Sequence, residues 1–194
     1  MIESRKAFGI RKITTIGMLG AISAILGMTP LGIIPVGAVN ATIMHIPVII
    51  GAILEGPIAG IMVGLIFGVF SLIRSITTPT PVSFVFWNPL VSILPRILIG
   101  ITSYYAYTAL RKTTKNETVS IASAAALGTL TNTVGVLSMI YMLYGARFVE
   151  KIGADPTSAG KIILGIGITN GIPEMIVATI IVTGVVRGLK LTKR

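Results

Sequence analysis

Two ionisable side chains stand inside long uncharged stretches: Arg96, and Glu174, the only charge between Ile162 and Val186. A charge embedded in apolar sequence is expensive and marks a place where function is to be sought. Glu174 shares a stripe at helical spacing with Gly167, Asn170, Gly171 and Ala178, while Ile168, Ile172, Ile176 and Ile180 fall largely elsewhere. Arg96 shares a face with Asn88, Ser92, Gly100, Ser103 and Tyr107. A third group is Gly128, Asn132 and Gly135, flanked by Thr129, Thr131 and Thr133. Guanidinium groups take carboxylates in a bidentate fork, and amides both donate and accept, so these side chains suit a small polar ligand. A plainer reading stands beside it: small residues let helices approach, amides join them, and Arg96 pairs with Glu174.

Other residues carry similar pairs of readings. Trp87, with Phe84 and Phe86, is either an interfacial anchor or a lid over a ligand, and Tyr141 and Tyr144 lie at the same level. His45 is the one histidine and cysteine is absent, which argues against a transition-metal site and removes thiol chemistry. A hydrogen-bonded packing histidine is the expected role, and no metal or cofactor is expected. Near the N-terminus, Gly17 with Ala21 and Gly20 with Ala24 form overlapping small-xxx-small patterns. These serve either internal packing or docking of another membrane protein.

The elements that position these groups follow from the charge distribution. The chain has 194 residues, 53% apolar and 11% charged, with a mean hydropathy of +0.92. Soluble domains carry about 25% charged residues, so composition alone argues against a water-soluble globule. Charge-free runs cover 13–54, 56–73, 75–95, 97–110 and 118–146. A bilayer core of about 30 Å needs about 20 helical residues per crossing, and open-edged backbone cannot face lipid. Cut at proline, glycine and polar clusters, the runs predict an all-α membrane protein of six helices in a single domain, 1–194. The predicted helices cover about 12–28, 40–54, 57–74, 86–110, 119–144 and 161–188. Arg147–Thr157 reads as a polar loop. No cleavable leader and no internal repeat is evident.

The formal charge of +10 is explained by topology. Arg5, Lys6, Arg11, Lys12, Arg111, Lys112, Lys115, Arg187, Lys190, Lys193 and Arg194 fall on one side of a six-crossing chain. Arg74, Arg147, Lys151 and Lys161 fall on the other, with Glu150 and Asp155. The positive-inside rule then places both termini in the cytoplasm and makes nucleic acid a poor partner.

The run from His45 through Ile46-Pro47 to Glu55-Gly56-Pro57, continuing to Gly60, Gly64 and Gly68, resembles the substrate-binding S components of energy-coupling factor (ECF) vitamin transporters. Pro95–Gly100 and Asn170 with Pro173-Glu174 are similar to two further segments of that family. Gly17 and Ala21 resemble its Ala-xxx-Ala docking motif, with glycine in place of the first alanine. The resemblance implies a six-helix cell-membrane protein with cytoplasmic termini. Its ligand pocket would lie near the outer face, between helices four to six and the outer loops. It also implies a transmembrane coupling subunit and two ABC-type ATPases as partners. The segment 45–68 looks most like the pantothenate-type members, with pyridoxine, riboflavin and folate types close behind. The expected ligand contacts are Arg96, Asn132, Asn170, Glu174, Trp87, Asn88 and Tyr141, and the expected docking residues Gly17, Gly20, Ala21 and Ala24. The chain lacks a Gly-xxxx-Gly-Lys-Ser/Thr phosphate loop, so it is not expected to be an enzyme that hydrolyses ATP by that route. A membrane-embedded enzyme and a self-contained secondary transporter are the rival classes. The first usually needs clustered acids or histidines, and many of the second carry internal repeats.

Overall fold

A computed structural model of the chain describes residues 9–36 and 39–191, the side chains of 33–41 excepted. Arg5, Lys6, Lys193 and Arg194, used above to orient the chain, lie outside the described residues. The helices are α1 (Ile10–Met28), α2 (Ile46–Glu55), α3 (Pro57–Thr77), α4 (Pro89–Ser92), α5 (Leu94–Thr114), α6 (Glu117–Lys151) and α7 (Ala159–Leu191). Taking α4 with α5, and α7 with the short turn before it, five are long and apolar enough to cross a membrane.

One expectation needs correcting at the start of the second helix. Residues 40–45 were expected to be helical, but Ile33–Val36 (β1) pairs antiparallel with Val39–Thr42 (β2), Ile33 opposite Thr42. The fold is helical with one small hairpin. Pro47 explains where α2 begins: without an N–H it fits the first turn, where the amides lack helical partners in any case. At ten residues α2 is about 15 Å long, half the hydrocarbon thickness. It is nonetheless the central element, touching α1, α3, α5, α6 and α7, and it is buried from Ile46 to Ile53. Non-helical backbone ahead of it is tolerable at membrane depth where it packs on protein or lines a cavity, as Thr42 and Met44 do.

Gly56 takes φ +94°, a conformation that side chains disfavour, and lets α2 reverse into α3. Gly60, Gly64 and Gly68 then form a seam along α3. A Cβ at Gly64 would fall on the Arg96 carbonyl, and one at Gly68 on the backbone of Ser92 and Ile93. The absence of side chains there brings α5 against α3 and fixes the height of Arg96.

The helix expected over 86–110 is split. A 3-10 turn, Ser83–Trp87, leads into the single turn α4, and Ile93 separates α4 from α5. Pro89 and Pro95 each sit in the first turn of a helix, where a proline starts helices more readily than it continues them. The Arg147–Thr157 loop is likewise shorter than expected. α6 continues to Lys151 because Phe148 and Val149 are buried against Val85 and Ile163 in the same apolar cluster. At the opposite end, Lys190 donates to Glu117 at 2.7 Å and to Tyr107, which also accepts from Arg111 at 2.8 Å. This cluster ties the ends of α5, α6 and α7 together. The exposed isoleucines 168, 172, 176 and 180 form the outer face of α7, as the spacing predicts.

Candidate ligand-binding site

A cavity of about 490 Å³ lies where α3, α5, α6 and α7 meet the segment between β2 and α2. Arg96, Asn132, Asn170 and Glu174 all line it, from three helices. The small-and-polar faces therefore converge, as their spacing suggests.

The geometry around Arg96 starts from a proline. In a continuous helix the Val91 carbonyl would accept from the amide of residue 95, but Pro95 has none. Arg96 Nη1 donates to that oxygen instead, at 2.7 Å. The guanidinium carbon lies 5.4 Å from the Phe67 ring centroid and 5.6 Å from that of Phe86, within cation–π range. Arg96 Nε is buried without a partner. No ion pair joins Arg96 to Glu174, so the structural-pair reading of these two residues is not realised. Glu174 Oε1 instead accepts from the Thr42 N–H at 3.0 Å and the Thr42 hydroxyl at 2.6 Å.

Asn132 Oδ1 and Thr133 Oγ1 are also buried without partners. Buried polar atoms are nearly always satisfied in native proteins. Arg96, Asn132 and Thr133 line the cavity, and among the described residues Ser103 Oγ and Thr183 Oγ1, away from it, are buried without partners as well.

Three expected contacts sit elsewhere. Trp87 is 54% exposed, and its indole N–H donates to the Ser75 carbonyl at 3.1 Å. Asn88 caps α4, accepting from the Leu90 N–H at 3.0 Å, and its amide donates to the Tyr144 hydroxyl at 3.2 Å. Tyr144 in turn meets Phe84 edge-on. Tyr141 lines an apolar groove on the outer side of α6 and α7, not the cavity. Of the face running from Asn88 to Tyr107, only Arg96 reaches the cavity; Ser92 donates to the Phe86 carbonyl and Tyr107 belongs to the cluster around Lys190. His45 is buried in the bundle and bonds Thr129 at 2.9 Å.

The sequence reading missed the α3 wall. Phe67, Phe70, Ser71, Arg74 and Ser75 line the cavity from one face of α3. Their spacing of three and four is a signal legible in the sequence. Thr42 and Met44 also line it, and no periodicity could have found them because they precede α2.

The two small-residue pairs of α1 separate cleanly. Gly20 is buried, and a Cβ there would strike Ile66 of α3; Ala24 is half-buried. Gly17 and Ala21 are exposed, with nothing within 4 Å of a Cβ at Gly17. They lie on an open face with Met18 and Ile25.

Comparison with known proteins adds a family. Residues 11–186 match the family described as ECF transporter, substrate-specific component. The chain is 32% identical over 165 residues to the pantothenic acid transporter PanT of Lactococcus lactis subsp. cremoris, covering 78% of each chain. It is 31% identical over 166 residues to the pantothenate transporter PanT of Leuconostoc mesenteroides subsp. mesenteroides, covering 82% of this chain and 79% of that one.

Proposed function

The chain belongs to the ECF transporter substrate-specific component family, and from that premise we propose that it captures pantothenate at the outer face of the cell membrane for ATP-driven uptake. The observation that carries this reading is the convergence of Arg96, Asn132 and Asn170, from three helices, on one cavity. Pantothenate offers a carboxylate, an amide and two hydroxyls around a branched apolar centre. Arg96 takes the carboxylate, Asn132 and Asn170 bond the amide and hydroxyls, and Phe67 and Phe70 cover the apolar centre. Arg74 adds a second positive charge to the lining, which favours an anion. The names of the two relatives and the volume, which lies within the usual 300–1,000 Å³ of small-molecule sites, support the same ligand.

In this reading α2 and the non-helical segment ahead of it together make the sixth crossing, and both termini face the cytoplasm. The exposed Gly17–Ala21 face of α1 docks on a transmembrane coupling subunit. ATP is hydrolysed by two separate ABC-type ATPases. Isothermal calorimetry on the purified chain with pantothenate, pyridoxine, riboflavin and folate tests the ligand. Pantothenate alone is expected to bind tightly, and preference for another vitamin refutes the assignment.

A further inference from the structure

Four consecutive residues, from the last of β2 to the one before α2, are each held by a different part of the bundle. Thr42 gives both its N–H and its hydroxyl to Glu174 Oε1 on α7. The Ile43 N–H donates to the Gly32 carbonyl at 3.0 Å. Ser23 of α1 donates to the Met44 carbonyl at 3.1 Å. His45 Nε2 meets Thr129 Oγ1 of α6; because that hydroxyl donates to the Ala125 carbonyl at 2.9 Å, the imidazole is the donor. Thr42 and Met44 also line the cavity, so these anchors set where its wall stands.

Glu174 differs from the other anchors because it lines the cavity itself. Its carboxylate would repel an anion if left open, yet Oε1 is already engaged twice. Contact between Thr42 and Glu174 spans 132 positions of sequence and joins β2 to α7. We propose that Glu174 is a positioning residue: it tethers the Thr42–Met44 wall to α7 and thereby sets how long the ligand stays, without gripping the ligand. The inference rests on the cavity being the ligand site.

The test separates the tether from ligand contact by kinetics and by rescue. Pantothenate association and release are measured by stopped-flow for the wild type, E174A, E174Q, T42V and the E174A/T42V double variant. Hydrogen bonds to charged groups are strong enough that losing the tether speeds release about tenfold, with association within about twofold. T42V is expected to shift release in the same direction as E174A. The double variant releases no faster than E174A alone, because the bond that T42V removes is one of the two that E174A removes. E174Q, whose amide oxygen accepts the same two bonds, restores most of the residence time. A gripping carboxylate gives the opposite pattern: E174Q as damaging as E174A, T42V silent, and the effects additive. That pattern overturns the proposal.

Hydrogen–deuterium exchange of residues 39–45 in ligand-free protein is the second readout. Faster exchange there in E174A and T42V, rescued in E174Q, supports the tether, and unchanged exchange overturns it. If the wild type fails to bind pantothenate, the ligand assignment falls while exchange still decides the tether.

Discussion

The guanidinium of Arg96 donates to the carbonyl of Val91, the oxygen that Pro95 leaves without an amide partner. Arg96 thus repairs the helix break that Pro95 makes, and it also lines the cavity. Structural and ligand-binding roles need not compete in this side chain, because Nη1 makes the repair and the residue also lines the cavity. Substituting Arg96→Ala is expected to abolish measurable pantothenate binding by calorimetry. It also leaves a buried carbonyl unsatisfied, which costs about 1–3 kcal/mol and lowers the melting temperature in detergent. Arg96→Lys keeps the charge without the fork and should recover stability more than affinity.

Gly64 gives a separate test of how Arg96 is placed. Its missing side chain lets the Arg96 carbonyl approach α3, so Gly64→Ala forces α5 away. Overpacking of this kind costs about 1–3 kcal/mol. Thermal unfolding should show the loss, accompanied by weaker ligand binding, whereas Gly17→Ala, which points into open space, should leave both unchanged.

Docking is tested on α1, where the two small-residue pairs make opposite predictions. Ala21→Trp is expected to abolish co-purification with the coupling subunit while pantothenate affinity stays within about twofold, since exposed substitutions rarely disturb the fold. Gly20→Leu collides with Ile66 and should lower thermal stability first. Assembly that survives Ala21→Trp would remove this face from the account.

Tyr141 offers a negative control inside the same helix as Asn132. It lines the outer groove, so Tyr141→Ala should change pantothenate affinity by less than about twofold, while Asn132→Ala should weaken it by about tenfold or more. Equal effects in titration would mean that the cavity is not where binding occurs.

The distribution of what was legible follows from periodicity. Helix faces repeat every 3.6 residues, so the stripe through Asn170 and Glu174 and the outward isoleucines of α7 could be read directly. Proline and glycine marked the α2–α3 turn for the same local reasons that form it. The hairpin β1–β2 was hidden because an uncharged run looks alike whether helix or buried strand fills it. Partners of Glu174 were hidden for another reason: Thr42 lies far away in sequence, and spacing along one helix says nothing about contacts made by the next. Trp87 and Tyr141 were placed by depth alone, and Asn88 by a helical face that the break at Ile93 interrupts. Depth does not tell which way a side chain turns, and all three are engaged outside the cavity.

The most direct measurement is a structure of the purified chain with pantothenate bound, solved by crystallography or electron microscopy. The account expects ligand density in the cavity, with the carboxylate at Arg96, polar contacts to Asn132 and Asn170, and Thr42 still bonded to Glu174. Density in the outer groove of α6 and α7, or a bound ligand that leaves Arg96 and Asn132 without a partner, would contradict it.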